Sequence, residues 1–357
     1  MTESLVLAHE RLTAAVRAIV AAAGSADAEA EAVAANLVEA NLRGHDSHGV
    51  GMTPRYIDAV LEGGLTVNAH VAVRADSGPL LTLDGQAGYG QVIGAEAMAL
   101  GIARAREHGV AVVGLANSHH LGRIGHWAEQ CIAAGLVSIH FVNVLARPIV
   151  APFGGRDARL GTNPFCVGIP RAGGEPVVLD FATSRIAQGK TRVAYNQGLP
   201  VPPGTIIDDR GEPTTDPRFT VVEPAGALLP FGEHKGAGLA LVCELLGGAL
   251  AGGHTGAAAG DGRRRVLNGM FSVIVDPARM GTAANLASEM ESFIAWACAS
   301  PPMSGVARVQ TPGEPERETR AKRLAEGIEV DVVTWAEIVA AGAKVGLAAD
   351  RVEALAR

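Results

Sequence analysis

The sequence predicts an α/β fold whose helical ends pack together, and three observations carry that expectation. Short β-branched runs alternate with alanine-rich windows of helical length through the middle of the chain, the rhythm of strands covered by helices. Hydrophobic residues make up 48% of the 357 positions against 19% charged, enough apolar material for more than one core. Aromatic residues are few, with 8 Phe, 3 Trp and 3 Tyr, so Ala, Val, Leu and Ile must fill the interior while 45 Gly permit close backbone approach.

Residues 6–43 read as two helices, the second opened by Ser25 with Asp27 and Glu29 in its first turn and stopped by Gly44. A histidine-rich loop follows. Strand 80–83, helix 91–107, strand 110–115, helix 124–134 and strand 136–142 then alternate. Residues 165–181 read as two strands joined by RAGGE, and 184–197 as a helix begun at Thr183 and Ser184. The Pro-, Gly- and Asp-rich stretch 198–224 reads as loop or extended hairpin. Helix 236–251, a mobile Gly/Arg loop at 252–265, strand 270–275, helix 284–299 and a largely helical tail from 316 complete the expectation.

Charge narrows the partners. Thirty basic against 37 acidic residues give −7 with no long basic run, which argues against a nucleic-acid partner. The opening MTESLVLAHERL lacks the apolar core of a secretory signal. Segment 236–253 is apolar, but Glu244 and six glycines mark it as a buried helix rather than a membrane span. Cys131, Cys166, Cys243 and Cys298 form no Cys-x-x-Cys pair and suit a reducing, cytoplasmic setting.

Strand 79–84 runs through Gly88-Tyr-Gly90-Gln-Val-Ile-Gly94 into a helix, which resembles a dinucleotide-binding turn. The spacing is G-x-G-x-x-x-G, and the next strand ends at Ala116-Asn117 with no acid to hold a ribose hydroxyl. The glycines therefore read as a structural start to a helix.

Histidines concentrate in GHDSHGV (44–50) and ANSHHLGRIGH (116–126), each following the end of a helix or strand. One reading makes His45, Asp46, His48, His119 and His120 ligands of a metal-dependent hydrolase or lyase, although no helical His-x-x-x-His pair supports it. Another makes one imidazole a proton donor and acceptor, the group that alcohol–ketone redox chemistry requires. Downstream, GTNPF (161–165) offers Thr162 and Asn163, and Asp180-Phe181-Ala182-Thr183-Ser184 presents hydroxyls and N–H groups where a helix start would favour a phosphate. His234 and Lys235 open a later helix, where a cation is unfavourable unless an anion meets it.

In order, GHDSHGV, NSHHLG, VAPFGG, GTNPF, LDFATS, HKGAGLALVCELLGGAL, NGMF and PGEPER resemble the type 2 malate/L-lactate dehydrogenase family, which includes ureidoglycolate, sulfolactate and diketogulonate oxidoreductases. The resemblance implies a non-Rossmann nicotinamide-binding α/β fold and a homodimer using NAD or NADP to interconvert a 2-hydroxy acid and a 2-oxo acid. It also implies His48 and His120 as catalytic groups, either one the proton carrier; our own reading favours His48 for the proton and His120 for polarising the carbonyl, roles that can be exchanged, with Ser47 or Asn163 orienting the imidazole or the substrate oxygen. Cofactor contacts fall on Asp180 to Ser184, His234, Lys235, Gly313 and Glu314. Many members carry Arg four residues after the SHG histidine, where this chain has Met52, so Arg147 in NVLARP is the substitute expected to grip the substrate carboxylate and Arg55 is the second candidate. SHGVGM and NVLARP resemble the hydroxycarboxylate dehydrogenase subgroup. The expected division is a helical domain of 1–72 with 318–357, a cofactor domain of 73–122 with 225–317, and a smaller domain of 123–224.

Overall fold

The computed structural model describes residues 4–258, 263 and 265–356. Strand β1 (Ser4–Leu7) leads into α1 (His9–Ala22) and α2 (Asp27–Leu42), and two 3-10 turns, Asp46–His48 and Val50–Met52, run into α3 (Thr53–Leu61). Pro54 sits in the first turn of α3, where no intrahelical donor is needed. The predicted alternation follows as β2 (Ala72–Ser77), β3 (Leu80–Asp84), α4 (Gly90–His108), β4 (Val110–His119), α5 (Gly125–Ala133) and β5 (Val137–Leu145). The hairpin across RAGGE is β6 (Phe165–Ile169) and β7 (Val177–Phe181), and α6 (Gln188–Gln197) comes next. Strands β8 (Ile206–Ile207), β9 (Pro213–Thr214) and β10 (Ala227–Leu228) make a small separate sheet. Helix α7 (His234–Cys243) continues as a π-helical stretch over Glu244–Leu250. The chain ends in β11 (Leu267–Val275), α8 (Ala283–Cys298), α9 (Glu314–Glu326), β12 (Ile328–Asp331), α10 (Val332–Lys344) and α11 (Ala349–Ala356).

The main sheet has seven strands in the order β2-β3-β4-β11-β5-β6-β7, and only β3 and β4 run parallel. The single β3-α4-β4 crossover thus sits in an otherwise antiparallel sheet, unlike a doubly wound Rossmann fold. One core joins the two ends of the chain, where Leu12, Ile19 and Leu37 pack with Trp335, Ile338 and Val352, and β1 pairs antiparallel with β12. The other lies under the sheet around Leu83, Ile93, Leu115, Trp127 and Ile274.

Three expectations need correction. The helix placed at 184–197 begins at Gln188, because Ser184 bridges Pro230 and holds the preceding chain extended. The apolar helix at 236–251 is buried on one face only, and Leu241, Leu245 and Leu250 are exposed in the single chain. Strands β1, β2 and β12 escape the sequence reading because their pairing, not an apolar alternation, defines them; five of the six β2 residues are exposed. Part of the predicted 252–265 loop, residues 259–262 and 264, lies outside the described residues.

The glycine turn has a mechanical use. A Cβ at Gly90 would lie 2.2 Å from the carbonyl oxygen of His120, and one at Gly94 would lie 2.6 Å from the Trp127 ring. Only glycine lets α4 press this closely on the segment after β4. Gly90→Ala should therefore lower stability by about 1–3 kcal/mol through overpacking, read as an earlier urea midpoint; an unchanged midpoint would contradict the close-approach role.

Candidate active site

Two rigid frames bring the histidine segments together. After α2, Asn41 Nδ2 donates to Asp46 Oδ1 at 2.6 Å and Asn41 Oδ1 accepts from the Val50 amide at 2.8 Å, clamping the turn that carries His48. Gly49 is required there, since a Cβ would fall 2.1 Å from Asn41 Oδ1. After β4, the His119 amide donates to the Gly88 carbonyl at 3.0 Å and the Leu121 amide donates to Asn268 Oδ1 at 2.8 Å, fixing the backbone on both sides of His120.

His48 Nδ1 and His120 Nε2 stand 3.1 Å apart, and the rings stack with centroids 5.2 Å apart and planes 12° from parallel. The other nitrogen of His120, Nδ1, lies 2.7 Å from the Tyr56 hydroxyl, which accepts from Gln91 Nε2 at 2.9 Å. Both nitrogens of His120 are thus engaged, whereas His48 Nε2 has no partner among the described residues. His120 is 8% exposed and His48 keeps an edge toward solvent. Desolvation pushes His48 down to about 4, with the charges of His45 and Arg123 adding to the effect. Desolvation, then His48, His119 and Arg55, hold His120 well below its usual value. At neutral pH both rings are uncharged before ligand arrives.

A second group of predicted residues forms a unit of its own. The Thr183 amide and hydroxyl both donate to the Thr162 carbonyl, and the Phe231 amide donates to the Thr183 carbonyl at 3.0 Å. The GTNPF loop, the end of β7 and the start of α7 are therefore one unit. Phe181 meets Phe231 edge to face at 5.3 Å, with Ala182 half-buried between them in sequence and Thr183 and Ser184 buried. Ser184 gives its hydroxyl proton to the Ile186 carbonyl, so neither Thr183 nor Ser184 caps a helix. Asp180 is half-buried and accepts from the Gly125 amide at 2.6 Å; desolvation raises its carboxyl, while His45 and Arg123 oppose that rise. At the mouth of α7, His234 and Lys235 are exposed, and Lys235 has no ion-pair partner among the described residues. Glu233 precedes them at φ 59° and caps nothing, a costly backbone state for a non-glycine residue. Gly313 at φ 89° starts α9 beside Val178, and Glu314 accepts from the Thr311 amide at 2.9 Å and pairs with Arg308.

Several predicted residues have other duties. Asn163 is fully buried, and its Oδ1 accepts from the Val144 amide while its Nδ2 donates to the Ala240 carbonyl and Glu244, so the amide knits loops together. Met52 packs in the core shared by the chain ends. Arg147 is exposed and pairs with Glu223 at 2.6 Å. Ser47 lies under α6, where a Cβ on Gly189 would sit 2.7 Å from the Ser47 Cβ. Arg55 has no ion pair among the described residues, and its charge acts on His120.

The metal alternative gains no support from the geometry. His45 pairs with Glu316 at 3.4 Å, Asp46 binds Arg323, and no cluster of three or more His, Cys, Asp or Glu suited to a metal occurs among the described residues. Sequence reasoning missed Tyr56, Gln91 and Arg123. Tyr56 lies on the helix that follows the SHG turn and Gln91 lies inside the glycine motif, which were the available signals. Arg123, 3% exposed and bound to Glu129, is visible only in three dimensions.

A dehydrogenase class is what this sheet, its helical cap and its histidine pair match. The malate/L-lactate dehydrogenase family model matches residues 7–339, and the chain belongs to that family. It is 48% identical over 341 residues to hydroxycarboxylate dehydrogenase B of Escherichia coli strain K12, covering 95% of this chain and 94% of the relative. It is 42% identical to an L-lactate dehydrogenase of Cupriavidus necator over 86% of this chain and 88% of the other. The fold matches the solved sulfolactate dehydrogenase of Methanocaldococcus jannaschii with a TM-score of 0.86 at 30% identity, covering 97% and 99% of the two chains. No helix among the described residues is long and apolar enough to cross a membrane.

The buried histidines set an acid limit on stability. Burial lowers His48 and His126 to about 4 and His119 and His140 to about 3, whereas histidines of the unfolded chain titrate near the ordinary imidazole value of about 6.5. Below that value the unfolded state binds more protons, so stability is whole above it and falls as pH drops toward 4. Urea midpoints should therefore be lower at pH 5 than at pH 7.5, a window in which most carboxylates stay ionised; equal midpoints would contradict neutral burial.

Proposed function

We propose that this protein is an NAD(P)-dependent oxidoreductase that interconverts a 2-hydroxy acid and a 2-oxo acid, with His48 as proton donor and acceptor. The carrying observation is the stacked, hydrogen-bonded histidine pair in which only His48 has a free nitrogen. Family membership agrees with it, as do the names of the hydroxycarboxylate and L-lactate dehydrogenases to which the chain is similar.

The chain offers a fitting seat for a dinucleotide. Lys235 and His234 at the positive end of α7, next to the Thr183 and Ser184 loop, suit a phosphate, and an uncapped helix start with an unneutralised lysine is otherwise unfavourable. Asp180 to Ser184, Gly313 and Glu314 would border the rest. Bound NAD(P)H supplies the hydride that reduces C2 of the acid. His48 Nε2 gives a proton to the oxygen on C2 during reduction and takes it back during oxidation. His120 orients His48 through Nδ1, and Ser47 borders the same turn. Arg55 replaces Arg147 as the group for the substrate carboxylate, because Arg147 is already paired with Glu223 and Arg55 is not paired. Thr162 is half-buried beside Thr183, while Asn163 braces that loop and Met52 fills the helical core.

The exposed face of α8 supports the homodimer. Phe293 and Trp296 are 64% and 74% exposed, Met303 beyond the helix is 80% exposed, and no α8 residue is buried in the single chain. Such a patch on an abundant helix face needs a partner.

A panel of 2-oxo acids followed by the absorbance of NADH and of NADPH should show oxidation of the nucleotide, and His48→Asn should lower kcat by about 10²–10⁴-fold. A loss below about tenfold would remove His48 from the mechanism. Trp296→Asp should shift the molar mass in light-scattering chromatography from dimer to monomer; a wild-type chain already monomeric would refute the dimer.

A further inference from the structure

Behind the histidine pair, the hydrogen-bonded chain continues inward and ends at a buried amide. Tyr56 is fully buried and Gln91 is 3% exposed. The links are His48 Nδ1 to His120 Nε2 at 3.1 Å, His120 Nδ1 to the Tyr56 hydroxyl at 2.7 Å, and that hydroxyl to Gln91 Nε2 at 2.9 Å. The Gln91 Oε1 and the Asn36 Oδ1 are both buried without a hydrogen-bond partner. Both side chains border Gly122, where a Cβ would stand 3.0 Å from Asn36 Oδ1 and 3.6 Å from Gln91 Nε2.

One proton lies in each link, so the chain has a direction. With Gln91 presenting its N–H, Tyr56 donates to His120 Nδ1 and His120 donates from Nε2 to His48 Nδ1. His48 Nδ1 is then an acceptor, and a cationic His48 would set two N–H groups against each other. With the Gln91 amide turned over, Oε1 accepts from Tyr56, His120 donates Nδ1–H to the Tyr56 oxygen, and His48 donates Nδ1–H to His120 Nε2. His48 Nε2 can then take and release a proton while every other link keeps its polarity. The turn also gives the orphaned Oε1 a donor, as a buried acceptor requires. Oxygen and nitrogen of an amide are distinguished only by such a network.

We propose that Tyr56 and Gln91 are positioning residues for the reaction, and that Gln91, with Oε1 toward Tyr56, holds His48 in the tautomer that exchanges its proton at Nε2. The inference rests on the reading of His48 as the proton carrier. In reduction, the His48 Nε2–H bond breaks as the substrate O–H bond forms, the bound dinucleotide supplies the hydride, and solvent returns the proton to Nε2. Burial keeps the Tyr56 hydroxyl well above its usual titration range, so Tyr56 stays protonated and serves as a link. The charged or titratable groups facing the pair are His45, Arg123, His119 and Arg55, none of which can replace the Tyr56 link.

The test uses the full chain and its Tyr56→Phe, Gln91→Leu and Gln91→Glu variants. NADH is the reductant, and the acid is whichever of pyruvate, oxaloacetate and phenylpyruvate the wild type turns over fastest. Tyr56→Phe and Gln91→Leu should each lower kcat by about 10- to 100-fold while KM for the acid and the Kd of NADH, read from nicotinamide fluorescence, stay within about twofold. Reduction needs a proton on His48, so its rate falls as pH rises through the His48 pKa, and a negative charge nearby raises that pKa. Gln91→Glu can only accept from Tyr56, so it should move the alkaline limb of kcat upward by about one pH unit. Wild-type kcat and pH profile in Tyr56→Phe would overturn the proposal, as would an unmoved limb in Gln91→Glu. Should Tyr56→Phe fail to fold, the two Gln91 variants decide alone. A His48→Asn enzyme with wild-type kcat would instead overturn the parent reading, whatever the relay variants do.

Discussion

The 3.1 Å contact between His48 and His120 joins two parts of the chain that pack on different cores. His48 hangs from the end of α2 in the helical layer, and His120 follows β4 in the sheet. A hydrogen bond tolerates little error in distance, so both layers must be seated accurately for the pair to form. Glycine supplies that accuracy on each side, with Gly49 closing on Asn41 and Gly90 closing on the backbone of His120. Tyr56 from the helical layer and Gln91 from α4 add a second stitch across the same seam. The site is therefore a property of the docking between layers, which explains why so many tight backbone approaches cluster around it.

Electrostatics explains how a histidine near 4 can serve at neutral pH. The pair is largely desolvated, and Arg123 with Arg55 disfavours added positive charge before ligand arrives. Those same cations favour an anionic substrate. A carboxylate about 4 Å from an imidazolium at an effective dielectric of about 20 contributes about 4 kcal/mol, or roughly three pKa units. That is the size of the shift needed to bring His48 from about 4 to near neutrality. On the proposed reading, binding of the acid itself charges the proton donor, and an empty site holds no idle imidazolium.

Much of the fold was legible because its signals are local. Apolar periodicity marked α1, α2, α4, α5 and α8, and β-branched runs marked β3, β4, β5 and β11. The failed glycine fingerprint excluded a Rossmann turn for the right reason, since those glycines serve the approach of α4 to His120. The start of α6 was misread because Thr183 and Ser184 satisfy capping preferences locally but are captured by Thr162 and Pro230 from elsewhere in the chain. The histidines themselves were legible as paired segments, but their contact spans 72 residues and no spacing rule encodes it. The buried bonds of Asn163 were illegible for a related reason, because a polar residue in a loop reads as free until its partners at 144, 240 and 244 are seen.

On the proposed reading, the substrate carboxylate is met from a different position of the same helical turn. Family resemblance places an arginine at position 52, yet Met52 is buried in the helical core, where a guanidinium would have to leave water. Arg55 lies three residues on, at the start of α3, and helical side chains lean back over the turn N-terminal to their own Cα. The neighbouring residue, Tyr56, touches His120, and the charge of Arg55 acts on that same ring, so one helix turn bears on the histidine pair twice. If Arg55 serves the substrate, the positive charge stays on this helix turn while Met52 fills the core with an uncharged, adaptable side chain.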